Sequence, residues 1–223
     1  MAAPSLRLFW WDAPGRGGEP ARLALTIAGI PFEDKRMAFG DDAWAAMKPG
    51  TPWGKMPILE IDGKMLAESG TILRWVARAA KLMPEDPWLA LKVEEFLEVI
   101  QTDVELAAMF NGRKGEELVA CRREAAAPGS LLHEWLAKID TALGGNPSGY
   151  AVGDALSMAD VKLFCETSAM VSGFYDGFPA DESLYAPYEH LKAHRIRIAS
   201  IPAVKAYYAG RGGLYEAFGR LAA

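Results

Sequence analysis

The stretch "PILEIDGKMLAESGTILRWVARAAK", residues 57–81, decides how the first part of the chain folds. Two short apolar runs, 58–61 and 64–67, flank Asp62-Gly63, a pair that accepts the positive φ angles of a two-residue hairpin turn. The period then changes. Ile72, Leu73, Val76 and Ala80 recur at helical spacing and predict a helix after the hairpin. Upstream, "SLRLFWW" (5–11) reads as a strand and "PGRGGE" (14–19) as a turn with three glycines. Pro20 opens a helix that runs to Gly29, a plausible stop. "PFEDKRM" (31–37) reads as a second strand, and "DDAWAAMK" (41–48) as a short helix ended by "PGTP". The first 81 residues therefore predict a βαβαββα unit.

Downstream, "LMPEDPW" (82–88) carries two prolines and reads as a linker. Strand signals then nearly vanish. Helices are expected over 88–110, 116–143, 157–172, 186–199 and 201–209. An α/β unit followed by an all-helical part predicts two segregated domains, 1–81 and 89–223, joined by 82–88.

Composition narrows the function classes. The chain has 223 residues, 51% of them hydrophobic, and a formal charge of -5. That length buries a sizeable core. Mild acidity without a basic face argues against nucleic acid as a partner. No apolar run reaches the roughly 18 residues of a membrane span, so no membrane partner is expected. The start, "MAAPSLRLFWW", does not read as a signal peptide. Cys121 and Cys165 are the only cysteines, and His133, His190 and His194 all lie in the second half. These spacings predict no metal site. They suit a reducing, cytoplasmic location.

Two short stretches can carry chemistry. Ser69 opens the helix after the hairpin, either as an ordinary cap or as half of an anion site built on free helix N–H groups. In "WGKMPIL" (53–59), Pro57 opens a strand. It reads as a simple strand opener. If the Met56–Pro57 bond is cis, the backbone of Met56 is instead turned outward to pair with an extended peptide.

With these residues in view, "PWGKMPILEIDGKMLAESGTILRW" resembles the glutathione-binding half of cytosolic glutathione transferases, nearest to the sigma class that includes prostaglandin D synthases. A second family signature follows about 90 residues later in "GDALSMADVKLF" (153–164), where Ser157 and Asp160 form an S-x-x-D capping box on a helix expected to be buried. The resemblance implies a thioredoxin-like first domain and an all-helical second one. It also implies glutathione as substrate or cofactor, and a homodimer. Carried over position by position, Ser69 would hold the γ-glutamyl carboxylate and Glu68 would accept from the ammonium. Met56, with Pro57 cis, would pair with the cysteinyl backbone. Trp44 and Lys48 would lie at the glycyl carboxylate, with Lys55 close by. Asp103 would reach the ligand ammonium bound in the neighbouring subunit.

The pattern breaks at the thiol. Family members of this kind end the first strand with a tyrosine that donates to the sulfur, and this chain has no tyrosine before Tyr150. Counting back from Gly15-Arg16 places Trp10 at that position, with the register uncertain by one residue. The indole N–H of Trp10 is a donor without useful acidity. Arg16 is the better candidate for favouring thiolate. No Ser or Cys stands between Ser5 and Thr51 to take over the role. Trp11-Asp12 echoes the mu class, which would set Trp11 at the glycyl end of the ligand or simply bury it in the strand. The family geometry implies an acceptor pocket of Ala13, Pro14, Gly15, Met109, Phe110, Arg113, Tyr215 and Phe218. The same side chains could instead pack on one another. Such a pocket suits a small apolar electrophile. The resulting expectation is a glutathione transferase with an atypical site. A non-catalytic ligand-binding or structural member, and a glutathione-dependent isomerase or synthase, are its alternatives.

Overall fold

The computed structural model describes residues 3–14, 17–40, 42–102 and 113–221. The first part runs β1 (Leu6–Trp11), α1 (Glu19–Ile27), β2 (Glu33–Met37), α2 (Asp42–Met47), β3 (Ile58–Ile61), β4 (Lys64–Ala67) and α3 (Ser69–Ala79). The strands form one sheet in the order β2-β1-β3-β4, with β1 and β2 parallel and the other pairs antiparallel. Asp62 and Gly63 take φ of 49° and 79°, the turn their chemistry predicted. This is the thioredoxin-like architecture, with a four-stranded mixed sheet.

The helical part comprises α4 (Pro87–Thr102), α5 (Gly115–Ala126), α6 (Leu131–Gly144), α7 (Met158–Met170), α8 (Glu189–Ala199), α9 (Pro202–Tyr208) and α10 (Glu216–Arg220). One expectation is corrected here. Residues 116–143 are not a single helix but α5 and α6, broken at Ala127-Pro128-Gly129-Ser130. Pro128 cannot continue the ladder, Gly129 turns at φ 81°, and the Ser130 hydroxyl accepts the His133 N–H to restart it.

α7 is buried along its whole length. Its start is fixed by Asp160, which accepts from the Ser157 N–H (2.8 Å), the Ser157 hydroxyl (2.7 Å), the Ala151 N–H (2.6 Å) and His194 Nε2 (2.9 Å). The capping box expected from sequence is therefore present and extended to a neighbouring helix. Cys165, at the centre of α7, is fully buried, and burial pushes its thiol well up. One hydrophobic cluster joins Leu8, Leu59, Ile72 and Val76 of the first part to Val93, Ile139 and Phe164 of the helical part. Leu82, between the two, is buried in that cluster, and its carbonyl accepts the Met158 N–H.

Candidate active site

Strand alternation sends the two tryptophans at the end of β1 to opposite faces. Trp11 joins Trp44, Met47 and Met56 around Phe9, Met37 and Ile58. It stacks on Phe39 (centroids 4.9 Å, 20°) and meets Trp44 edge-on (6.2 Å, 75°). Phe39, 61% exposed, continues toward Phe174 at 6.2 Å. An aromatic row thus starts at α2, crosses the end of β1 and reaches the helical part.

Trp10 lies under the glycine turn. A Cβ added to Gly17 would stand 2.5 Å from its ring, and one on Gly18 2.4 Å from its Cγ. The paired glycines are what let the indole fit. Its Nε1 is closed off from solvent and has no partner among the described residues. The N–H that sequence placed at the thiol is enclosed in this conformation.

The loop before β3 and the start of α3 face the same region. The Met56–Pro57 bond is cis. Neither the N–H nor the C=O of Met56 has a partner among the described residues. Lys48 closes the turn after α2, and a Cβ added to Gly54 would stand 3.5 Å from its stem. Lys48 and Lys55 are both exposed. Glu68 holds φ 67°, ψ 118°, outside the left-handed well, a conformation that costs a side-chain-bearing residue of order 1–3 kcal/mol and clusters at functional sites. The Glu68 carboxylate is exposed and does not cap α3, so no side chain caps the start of this 11-residue helix. Ser69 is half-buried at its first position.

Beneath the site lies an ionic layer that sequence reasoning missed. Arg22, fully buried on α1, donates to Asp34 (2.7 Å) and Glu19 (3.4 Å) and to the carbonyls of Trp11 (3.0 Å) and Trp10 (3.3 Å). It therefore pins the last turn of backbone in β1. Arg36, opposite Trp10 in the sheet register, donates to Asp12 (2.9 Å), Asp34 (2.7 Å), Tyr215 (2.7 Å) and Tyr207 (3.1 Å). Tyr208 donates to the buried Glu19 at 3.0 Å. Three tyrosines thus approach the end of β1 from the far end of the chain. None of them is a ready acid. Burial pushes Tyr215 up to about 12 and raises Tyr207 and Tyr208 further. The only hint in the sequence was the Tyr-Tyr pair at 207–208, whose partners are 171 and 189 residues away.

The described acceptor residues differ in setting. Ala13 and Pro14 are buried beside the end of β1. Arg113 is turned to Cys121 (3.2 Å) and Glu117 (3.4 Å). Tyr215 is bonded to Arg36, and Phe218 is fully buried against Phe164, Tyr208 and Tyr215 rather than standing on an open wall. For Phe218 the packed alternative holds, because its ring completes the core between α7 and α9. Gly15, Arg16, Asp103, Met109 and Phe110 lie outside the described residues.

Comparison with known proteins bears on this arrangement. Residues 7–78 match the glutathione S-transferase N-terminal domain family, and residues 106–211 match its C-terminal domain family. The chain is 30% identical to glutathione S-transferase 4 of Caenorhabditis elegans, over 93% of this chain and 97% of the relative. It is also 30% identical to hematopoietic prostaglandin D synthase of Gallus gallus, over 92% and 95%. Among solved structures, NaGST-2 superposes with a TM-score of 0.78 at 27% identity, covering 94% of this chain and 98% of the other. Monomeric Na-GST-3 of Necator americanus superposes at 0.72 and 25%, covering 93% and 98%.

Proposed function

The chain belongs to the glutathione S-transferase family, and on that premise we propose that it binds glutathione across the β3–α3 corner and delivers the thiolate to a small apolar electrophile. The observation that carries this reading is the convergence on one corner of three groups: the unpartnered Met56 backbone, the start of α3 that no side chain caps, and the strained Glu68. In the proposed complex Met56 pairs with the cysteinyl unit. The α3 N-terminus with Ser69 takes the γ-glutamyl carboxylate, where the helix dipole favours an anion. Glu68 accepts from the ammonium. Lys48, Trp44 and Lys55 take the glycyl end, with Trp11 against it. Asp103 of the partner subunit completes the ammonium site. The electrophile lies along the aromatic row from Trp11 to Phe39, beside Ala13 and Pro14. Gly15, Met109, Phe110, Arg113 and Tyr215 bound it on its other sides.

The chemistry asked of the site is to hold the thiol as thiolate, the far stronger nucleophile. The thiolate attacks the electrophilic carbon, and the new C–S bond forms as the leaving group departs. Arg16 is assigned the stabilising charge, since a cation within about 4–6 Å favours the anion. Trp10 then acts through the fit of its ring under the turn that carries Arg16. Ultraviolet absorbance of the bound thiolate against pH tests this. The bound thiol should titrate below free glutathione, and Arg16→Leu should move it back up. An unmoved value takes Arg16 out of the mechanism, and no glutathione binding at saturation removes the whole reading.

The absence of a tyrosine at the end of β1 favours a second reading, a glutathione-binding member without catalysis, which would bind with an unlowered thiol. The 30% identity to a prostaglandin D synthase supports a third, glutathione-dependent isomerisation. We further place the protein in the cytoplasm as a homodimer, with exposed Trp53, Met65, Trp88 and Leu91 as the apolar surface a second copy would cover. Sedimentation separates this from the monomer described for Na-GST-3.

A further inference from the structure

Far from the β3–α3 corner, a groove of about 510 Å³ runs between α8 and the end of α6, lined among the described residues by ones between 143 and 197. That volume falls in the range of small-molecule sites. On α8, His190, His194 and Arg197 stand at i, i+4 and i+7 and share one face. Among the described residues that line the groove none is acidic. Two glycines opposite shape the floor. A Cβ on Gly144 would stand 2.6 Å from the His190 ring, and one on Gly149 2.8 Å from the Arg197 guanidinium. Arg197 packs on the Tyr150 ring at 5.4 Å and has no carboxylate partner among the described residues. His190 likewise has no hydrogen-bond partner among them. Between them His194, its side chain 1% exposed, is held by Asp160 through Nε2. Its Nδ1 is buried without a partner.

The bland explanation is that Arg197 and His190, both exposed, are satisfied by water and by the carbonyl end of α6, which carries about half an elementary charge at most. What goes beyond it is the groove itself, which sets a guanidinium and an imidazole two turns apart with no acid in its lining among the described residues. We propose that the groove is a second ligand site, distinct from the glutathione corner, that takes an elongated organic dianion. One acidic group pairs with the fork of Arg197 and the other accepts from the ring of His190. The apolar middle crosses Ala193 and Leu143. Two helical turns separate the anchors, about 10 Å along the axis, so a compact anion cannot reach both.

The test uses the full chain with glutathione saturating, so that the other carboxylate-binding corner is occupied. The ring signals of His190 and His194 are followed by NMR while azelate, succinate or nonanoate is added. Azelate should shift both rings and bind roughly tenfold or more tightly than either control, the difference expected when one charge-assisted anchor is lost. Arg197→Met should abolish that advantage, with folding verified by its thermal melt, and Arg197→Lys should keep part of it. Equal binding of all three acids, no ring shift with azelate, or unchanged azelate affinity in Arg197→Met would overturn the proposal.

Discussion

Trp10 and Gly17 are a single choice made at two positions. The indole fills the space under the turn, where a Cβ on Gly17 or Gly18 would stand 2.5 Å or 2.4 Å from it. Gly17 also sits at φ 53°, a backbone state that costs a residue with a Cβ about 1 kcal/mol. Gly17→Ala should therefore destabilise the chain by ~2–4 kcal/mol, the sum of backbone strain and overpacking against Trp10. The atoms it would strike are the outer ring atoms Cη2, Cζ2 and Cζ3. Trp10→Phe removes all three, so in that background Gly17→Ala should cost only the ~1 kcal/mol of backbone strain. A double-mutant cycle by urea unfolding reads the coupling. Additive effects would mean that the turn yields to the ring and that the two positions were not matched.

At the scale of elements, α1 is fastened to β1, β2 and α9 by buried charge rather than by apolar contact alone. Arg22 serves two carboxylates and two carbonyls. Arg22→Met takes the nearest cation from the buried Glu19 and this donor from two carbonyls, although Asp34 keeps Arg36 and Glu19 keeps Tyr208, and should cost about 3–5 kcal/mol. Glu19 behaves differently. Burial raises its carboxyl above the ordinary value, while Arg22 and the Tyr208 hydroxyl pull it down. A group raised on folding gives stability that is complete below its unfolded pKa and is lost as pH rises through the folded one. Glu19→Gln lacks that slope, so its stability relative to the native chain should climb from acid toward neutral pH. Urea midpoints across that range read it, and a difference that is flat or falls would contradict the raised carboxyl. None of this layer was legible in the sequence. Hairpin, helix starts and capping box were, because a Asp62-Gly63 turn or a Ser157-x-x-Asp160 box acts between neighbours. Arg36 meeting Tyr207 and Tyr215 depends on how the sheet and the last helices dock, which no local pattern encodes. The break between α5 and α6 is written locally in Pro128-Gly129, inside the span expected as one helix. Within the site, the β3–α3 corner could be read from local motifs. The enclosure of the Trp10 N–H could not, since it follows from the fit of ring and turn.

Across the whole molecule, the two parts read from sequence as separate domains share one core. Leu8, Ile72 and Val76 lie in the same cluster as Val93, Ile139 and Phe164. Polar ties cross the junction at several points. Arg74 on α3 pairs with Glu94 (3.2 Å) and Glu98 on α4, Tyr208 with Glu19, and the Met158 N–H with the Leu82 carbonyl (2.9 Å). Opening the sheet alone would expose the apolar face of α1 and α3 to water and strand Glu19 and Arg22, so a half-folded chain is disfavoured at about 25 cal/mol per Å² of apolar surface uncovered. Unfolding should therefore be one transition, with sheet and helical probes coincident. Ligand linkage sharpens the expectation. A ligand that binds only the native state adds RT ln(1 + [L]/Kd) to global stability. Glutathione held at the β3–α3 corner should then slow the globally exchanging amides of α7 as much as those of β1, although α7 supplies none of the residues proposed to hold it. Hydrogen exchange by mass spectrometry measures both at once. Protection confined to β1, β3 and α3 would show that the shared core does not couple the halves, and two separate melting transitions would show the same without ligand.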